Sequence, residues 1–525
     1  MGQPARQLNG ASPQDRVTQL LINAQAALDG GDRQEAARCL QQVLTLEAEN
    51  VGALKGLINL ALQADMKNTA LQYAVRLLQV AGDSADAYEI VGAVFLELGR
   101  HEAAGAALRE AMRLDPDRQS VLDNYCLVLQ AEGKDEERVV FLEALLAVKK
   151  TSPRLWYAYS ESRHFERGAP EVAQIRRLLK KPGLKVETRA QLQFALGKML
   201  ADGEDYDAAF RAFEAGNRLK CEAERKSVEA WRAGYWRDRA AAIAGFFDAE
   251  RLAEWSSAGV ARRGLTLLVG PPRAGKSLLE GGLAAHPALA AYAERTVVDE
   301  LLKRHGALEG YPDVLESLQS DALVALGVRL DAAWGERPEQ GIVSHLITTP
   351  GNIFYAGLIL SLEPTSRLVL CRRDPFQNAL AIFMKWFAKS HPYAWAVDTI
   401  AEHIAICDAL GDHWQRRFPD RVTVADYDAI LADPDATVRR LLAWHGLEWD
   451  AACANDRAVA AQPGVVGLAG SGAQRSAVDP SFARISEIYG DQRQAFESEY
   501  VAACQRVEQS WEAAGLSPPR QLCRA

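Results

Sequence analysis

The chain has 525 residues, with 60 Lys+Arg against 69 Asp+Glu for a formal net charge of −9, 48% hydrophobic and 25% charged residues. That length implies two to four folded units, and the balance excludes a disordered, collagenous or transmembrane protein. A mild acidic excess gives no general electrostatic reason to bind nucleic acid, so any phosphate site has to be local.

The N-terminal MGQPARQLNGASPQDR has no apolar core of a signal peptide, Arg6 stands where an acylation motif wants Ser or Thr, and no stretch reaches the length of a membrane span. The expectation is a cytoplasmic protein without a membrane span. Eight cysteines lie far apart with no C-x-x-C pair, which predicts reduced thiols and no zinc site.

From about residue 13 to 150 the chain repeats. Gly31, Asp65, Gly99 and Gly133 follow one another at intervals of 34, and Ala36, Ala70 and Ala104 keep the same interval five residues later. A period of 34 with a turn residue and then Ala predicts tetratricopeptide units, each a helix–turn–helix in which the Ala lets neighbouring helices approach closely. Such a solenoid offers a concave face for a peptide, protein or glycan partner, or else serves as a spacer or dimerisation element. A further, degraded unit is expected at 190–220, where Gly197, Asp205 and Ala209 recur.

Next comes the apolar run Leu265–Val269, then Gly270-Pro271-Pro272-Arg273-Ala274-Gly275-Lys276-Ser277 and the helical LLEGGLAAH. Strand, Gly-containing loop and helix direct backbone N–H groups and a helix N-terminus at an anion. Read literally, the eight residues fit G-x-x-x-x-G-K-S, the nucleotide triphosphate loop, in which the lysine reaches the terminal phosphates and the serine holds Mg²⁺.

The longer context, LVGPPRAGKSLLEGGLAAHPALAAYAE, resembles the 5′-phosphosulfate loop of sulfotransferases through Gly270, Pro272, Arg273, Gly275, Leu278, Glu280, His286-Pro287 and Glu294. TTPGNIFYAGLILSLEPTSRLVLCRRDPFQNAL at 348–380 is similar to that family's central K-x-P-x-N segment, strand and R-R-D-P motif, and VADYDAILADPDATVRRLLAWHGLEWD at 424–450 to its late strand and helix. FALGKMLADGEDYDAAFRAFEAGNRLK at 194–220 resembles the connector of bacterial proteins that join tetratricopeptide repeats to a sulfotransferase domain and are related to tyrosylprotein sulfotransferases.

The resemblance implies an all-helical repeat domain at 13–150, a helical connector at 151–259 and a three-layer α/β domain at 260–525, its parallel sheet including LTLLV, GIVSHLI, RLVLC and RVTVA. It implies transfer of the sulfuryl group of 3′-phosphoadenosine 5′-phosphosulfate to a hydroxyl, a protein tyrosine being one such acceptor, with no metal. Gly270, Pro272, Arg273 and the amides of Ala274, Gly275, Lys276 and Ser277 would hold the 5′-phosphosulfate, Arg373 the 3′-phosphate, and Glu294 would take the acceptor's proton; Arg372 would share charge or pair with a carboxylate, and His286 would be structural.

Four positions depart from the family pattern: Lys276-Ser277 replaces two hydroxyl residues, Thr348 the lysine before Pro350, Ala381 a serine and Gln377 an aspartate. Losing a cation aimed at the leaving oxygen typically costs about 2.7–4 kcal/mol of transition-state stabilisation, and Lys276 is the candidate to compensate. The late motif survives only as Gln474-Arg475-Ser476-Ala477-Val478. Two further readings stay open: a kinase or ATPase using the literal loop, and a catalytically silent repeat-based binding protein.

Overall fold

The computed structural model describes residues 12–519 apart from 30–31, 64–65, 117, 259–263, 293, 305–306, 319, 335–340, 388 and 455–487. Gly31, Asp65 and the segment Gln474–Val478 therefore lie outside the described residues.

The repeats fold as four antiparallel helix pairs: Pro13–Asp29 with Arg33–Leu46, Val51–Gln63 with Lys67–Ala81, Ala85–Glu97 with His101–Leu114, and Gln119–Ala131 with Asp135–Val148. The repeated alanines Ala36, Ala70 and Ala104 are all fully buried. Each is the small contact that lets a second helix close on its neighbours, and their helices feed three successive apolar clusters along the arm. The connector begins with the helices Pro153–Ser160, Pro170–Leu179, Val186–Asp202 and Tyr206–Ala223. The last two form a repeat-like hairpin in which the buried Ala209 lies at the position of the repeated alanine and Phe194 meets Phe213 edge to face.

Five parallel strands build the sheet: β1 Leu265–Val269, β2 Leu289–Ala291, β3 Ser344–Ile347, β4 Arg367–Arg372 and β5 Val422–Asp426, in the order β2-β3-β1-β4-β5. A sheet with β1 at its centre and helices between successive strands is buried on both faces, which is why β1 and β3 read as uninterrupted buried runs. The topology reverses at β1, with β3 on one side and β4 on the other, so the crevice beyond the carboxyl ends of these strands is where a ligand fits.

One continuous core joins the connector to the sheet, running from Leu142 and Trp156 through Phe194 and Phe213 to Phe247, Ile353, Trp414 and Trp511. Asn217, buried on the connector helix, donates to the Phe383 carbonyl at 2.8 Å, and Phe210 stacks on Phe383 with ring centroids 5.4 Å apart. The connector is thus packed against the helix Pro375–Phe383 that flanks the site.

Six cysteines, Cys39, Cys126, Cys221, Cys371, Cys407 and Cys453, are free thiols as expected. Cys504 corrects the expectation: it is disulfide-bonded. Wide spacing in sequence excludes a local metal motif but says nothing against a disulfide.

Candidate active site

Strand β1 ends at Val269, and the loop Gly270–Gly275 leads into the helix Lys276–Leu283. Gly270 has φ +132°, and a Cβ there would come within 2.3 Å of the Cys371 carbonyl oxygen, so only glycine lets the loop lie against β4. Gly275, φ +92°, caps the helix, and a Cβ there would meet the Tyr427 ring at 2.8 Å. Arg273 also occupies the left-handed region, φ +68°, with its side chain exposed. A non-glycine residue in that conformation costs on the order of 1–3 kcal/mol and is a feature of ligand clamps.

The loop's carbonyls are drawn inward. Lys276 Nζ donates to Gly270 O at 3.0 Å and Pro271 O at 2.6 Å, Asn378 Nδ2 to Pro272 O at 2.7 Å, and Arg373 Nη1 to Arg273 O at 3.2 Å. Within a trans peptide the N–H points opposite to the C=O. The amides of Arg273 and Ala274 accordingly face away from these donors, on the side where Arg273 and Ser277 are exposed.

Lys276 is only 6% exposed. Burial depresses its pKa, while Cys371 and Glu294 act in the opposite direction. The expectation that this lysine serves the transferring group meets a definite geometry here, because its ammonium is bonded to two carbonyls of its own loop. Thr348, at the place of the family lysine, is buried at the carboxyl end of β3.

Glu294 stands across from the loop with its side chain in reach of solvent. The protein crowding its carboxyl raises the pKa above the ordinary glutamate value, and the nearby Lys276 ammonium opposes that rise. Arg295, its neighbour, is held by the hydroxyl of Thr349 through bonds to both its N–H and its carbonyl.

Arg373 leaves the end of β4, lies 4.0 Å over the Tyr427 ring, and has its pKa lowered chiefly by burial. Arg372 takes the other option read for it, facing Asp408 at 3.5 Å, a half-buried carboxylate that also accepts from Tyr500 at 3.0 Å. Ala381 is buried on the helix Pro375–Phe383. Asp374 caps that helix by accepting from the Gln377 N–H at 2.8 Å. His286 is structural: Ala288 N–H donates to its Nδ1 at 3.1 Å and its Nε2 meets the Glu448 carbonyl at 3.1 Å.

Three contributors escaped sequence reasoning. Asn378, a polar residue inside the apolar FQNALAIF, carried a signal in its placement; the Tyr427 platform and the Lys385–Glu161 ion pair did not. Lys385 follows the helix Pro375–Phe383 and Glu161 comes from the connector, and both lie in the electrostatic field of Arg273. Among the described residues there is no cluster of three or more His, Cys, Asp or Glu arranged to hold a metal, and no helix long and apolar enough to cross a membrane.

The profile of the Sulfotransferase family matches residues 266–451, and that of a Tetratricopeptide repeat matches 85–118. An uncharacterized protein of Aquifex aeolicus (strain VF5) is 24% identical over 409 residues, 74% of this chain and 52% of that protein, so the chain spans about half the length of that relative. Uncharacterized protein y4yS of Sinorhizobium fredii (strain NBRC 101917 / NGR234) is 33% identical over 137 residues, 26% of this chain and 72% of that one. The sulfotransferase domain of the Synechococcus PCC 7002 olefin synthase is 16% identical, covering 47% of this chain and 94% of its own with a TM-score of 0.29. With the matched segment beginning inside β1 and running through the loop, Glu294, Arg373 and β5, the chain carries a sulfotransferase-family domain behind tetratricopeptide repeats.

Proposed function

We propose that the chain transfers the sulfuryl group of 3′-phosphoadenosine 5′-phosphosulfate to a hydroxyl acceptor, a protein tyrosine being the leading case, with the repeats as docking arm. The observation that carries this reading is the loop after β1, whose carbonyls at 270–273 are all taken inward by Lys276, Asn378 and Arg373. An anion on the other side meets backbone N–H groups, a helix N-terminus and the Arg273 guanidinium, a combination of oriented dipoles and charge that favours a phosphosulfate.

In this reading the acceptor oxygen attacks sulfur as the bond from sulfur to the 5′-phosphate oxygen breaks, and the adenosine bisphosphate leaves with that electron pair. Glu294 receives the acceptor's proton, and its raised pKa makes it a stronger base than an ordinary glutamate. Arg373, on its Tyr427 platform, holds the 3′-phosphate. The repeat arm supports a macromolecular acceptor, since stacked helix pairs present a long continuous surface.

Transfer of radiolabelled sulfuryl from the donor to a phenol or tyrosine peptide, by wild type and by Glu294→Gln, tests the reading. Loss of transfer in the variant with donor affinity retained is the expected result, and equal turnover by both proteins would remove Glu294 from the chemistry. The nucleotide-triphosphate alternative has Ser277 exposed at the helix start, but β5, the strand that ends in the exposed Asp426, lies two strands from β1.

A further inference from the structure

The segment that carries Glu294 is laid alongside β3. Leu289, Ala290 and Ala291 pair with Ser344, His345 and Leu346, and one residue further on the Tyr292 N–H donates to the Leu346 carbonyl at 2.8 Å. Backbone pairing ends soon after, because Pro350 has no N–H to offer. At that point Thr349 supplies a side-chain substitute: its Oγ1 accepts from the Arg295 N–H at 2.6 Å and donates to the Arg295 carbonyl at 2.6 Å. Thr349 is 6% exposed, so water does not compete for either bond. The Arg295 guanidinium is turned elsewhere, donating to the Trp334 carbonyl at 2.9 Å and lying 4.8 Å from the Tyr292 ring centroid.

We infer that Thr349 is the positioning residue for Glu294: its hydroxyl clasps the backbone of Arg295, extends the strand pairing past the end of β3, and fixes where the neighbouring carboxylate stands. The inference rests on the reading of Glu294 as proton acceptor. A base has to be held within hydrogen-bond reach of the proton it takes, and displacement by about 1 Å costs on the order of a hundredfold in rate. Anchors at Tyr292 and Arg295 hold the chain on both sides of Glu294. Facing the carboxylate are the Lys276 ammonium from the loop and the Tyr393 phenol from the 3-10 helix Pro392–Trp395, each of which feels its charge.

The experiment compares wild type with Thr349→Val, which keeps the shape without the hydroxyl, and Thr349→Ser, which keeps the hydroxyl; Thr349→Ala gives the same readouts where valine does not fold. In the full chain the Glu294 carboxyl is titrated by carbon NMR, its signal identified by its loss in Glu294→Gln, alongside 3′-phosphoadenosine 5′-phosphate affinity and kcat for transfer to a nitrophenol. Thr349→Val should move the midpoint down towards the ordinary glutamate value and lower kcat by roughly ten- to a hundredfold at unchanged nucleotide affinity. Thr349→Ser should match wild type throughout. An unmoved midpoint in Thr349→Val, or a Thr349→Ser as impaired as Thr349→Val, overturns the clasp. Full turnover by Glu294→Gln overturns the proton-acceptor reading instead, and the titration midpoints still decide for or against the clasp.

Discussion

The side-chain amide of Asn378 donates to the carbonyl oxygen of Pro272 at 2.7 Å, from inside a helix to the loop that follows β1. Both residues are buried, so this bond ties the loop after β1 to the element after β4. Asn378→Leu leaves the Pro272 carbonyl without its donor, which costs about 1–3 kcal/mol. The expected outcome is a lower Tm together with weaker binding of 3′-phosphoadenosine 5′-phosphate, measured by calorimetry.

Arg273 separates stability from binding. Its left-handed backbone is strained for any residue but glycine, so Arg273→Gly should raise Tm slightly or leave it unchanged while weakening nucleotide affinity by about 1.5–3 kcal/mol, the scale of a hydrogen bond to a charged group. Arg373→Ala should weaken affinity on the same scale and also lower Tm, because it removes a donor to the Arg273 carbonyl. Unchanged affinity in both variants would take the donor away from this loop.

Lys276 has two tasks to tell apart. Its ammonium holds the Gly270 and Pro271 carbonyls, so Lys276→Thr should lower Tm and nucleotide affinity as well as kcat. If it also stands in for the lysine absent at 348, Lys276→Thr combined with Thr348→Lys should recover much of the lost kcat but little of the lost Tm. A single variant with wild-type kcat would confine Lys276 to holding the loop.

The raised pKa of Glu294 fixes the sign of a pH effect. Its ionised form is the disfavoured one in the folded chain, so the cost is present above the raised folded pKa and disappears as pH falls through the unfolded value of 4.5. Glu294→Gln should therefore be more thermostable than wild type at neutral pH, with the gain vanishing near pH 4. Transfer by wild type should rise with pH through the raised pKa, where the base becomes free to accept a proton.

The arm should be removable at one place and not at another. Residues up to the end of the helix Gln119–Ala131 bury their apolar faces largely among themselves, whereas Leu142 and Leu146 already belong to the core shared with the connector and sheet. Deleting 1–131 should leave nucleotide affinity intact and abolish turnover on a natural macromolecular acceptor. Extending the deletion through 150 should lower Tm in addition, measured by thermal unfolding.

Much of this architecture was legible in the residues. Period and small size made Ala36, Ala70 and Ala104 readable as packing contacts, and an apolar run before a glycine loop made β1, its loop and the following helix readable. Strand β2 was not, because three residues of Leu-Ala-Ala inside an alanine-rich stretch carry neither alternation nor β-branching. Candidate residues could be named from the sequence, but the partners each one meets in the fold could not. That Lys276 turns back onto its own loop, that Thr349 clasps Arg295, and that Glu161 of the connector reaches Lys385 are consequences of tertiary packing over long sequence distances. Cys504 was misread because a cysteine outside any local motif carries no sign of whether it pairs.

Isothermal titration of the full chain with 3′-phosphoadenosine 5′-phosphate in the presence of a chelator, beside ATP with Mg²⁺, tests the central claim most directly. The expected result is metal-independent binding of the bisphosphate that Arg273→Gly and Arg373→Ala both weaken, and no comparable binding of ATP. Tight Mg²⁺-dependent ATP binding with none of the bisphosphate would contradict it.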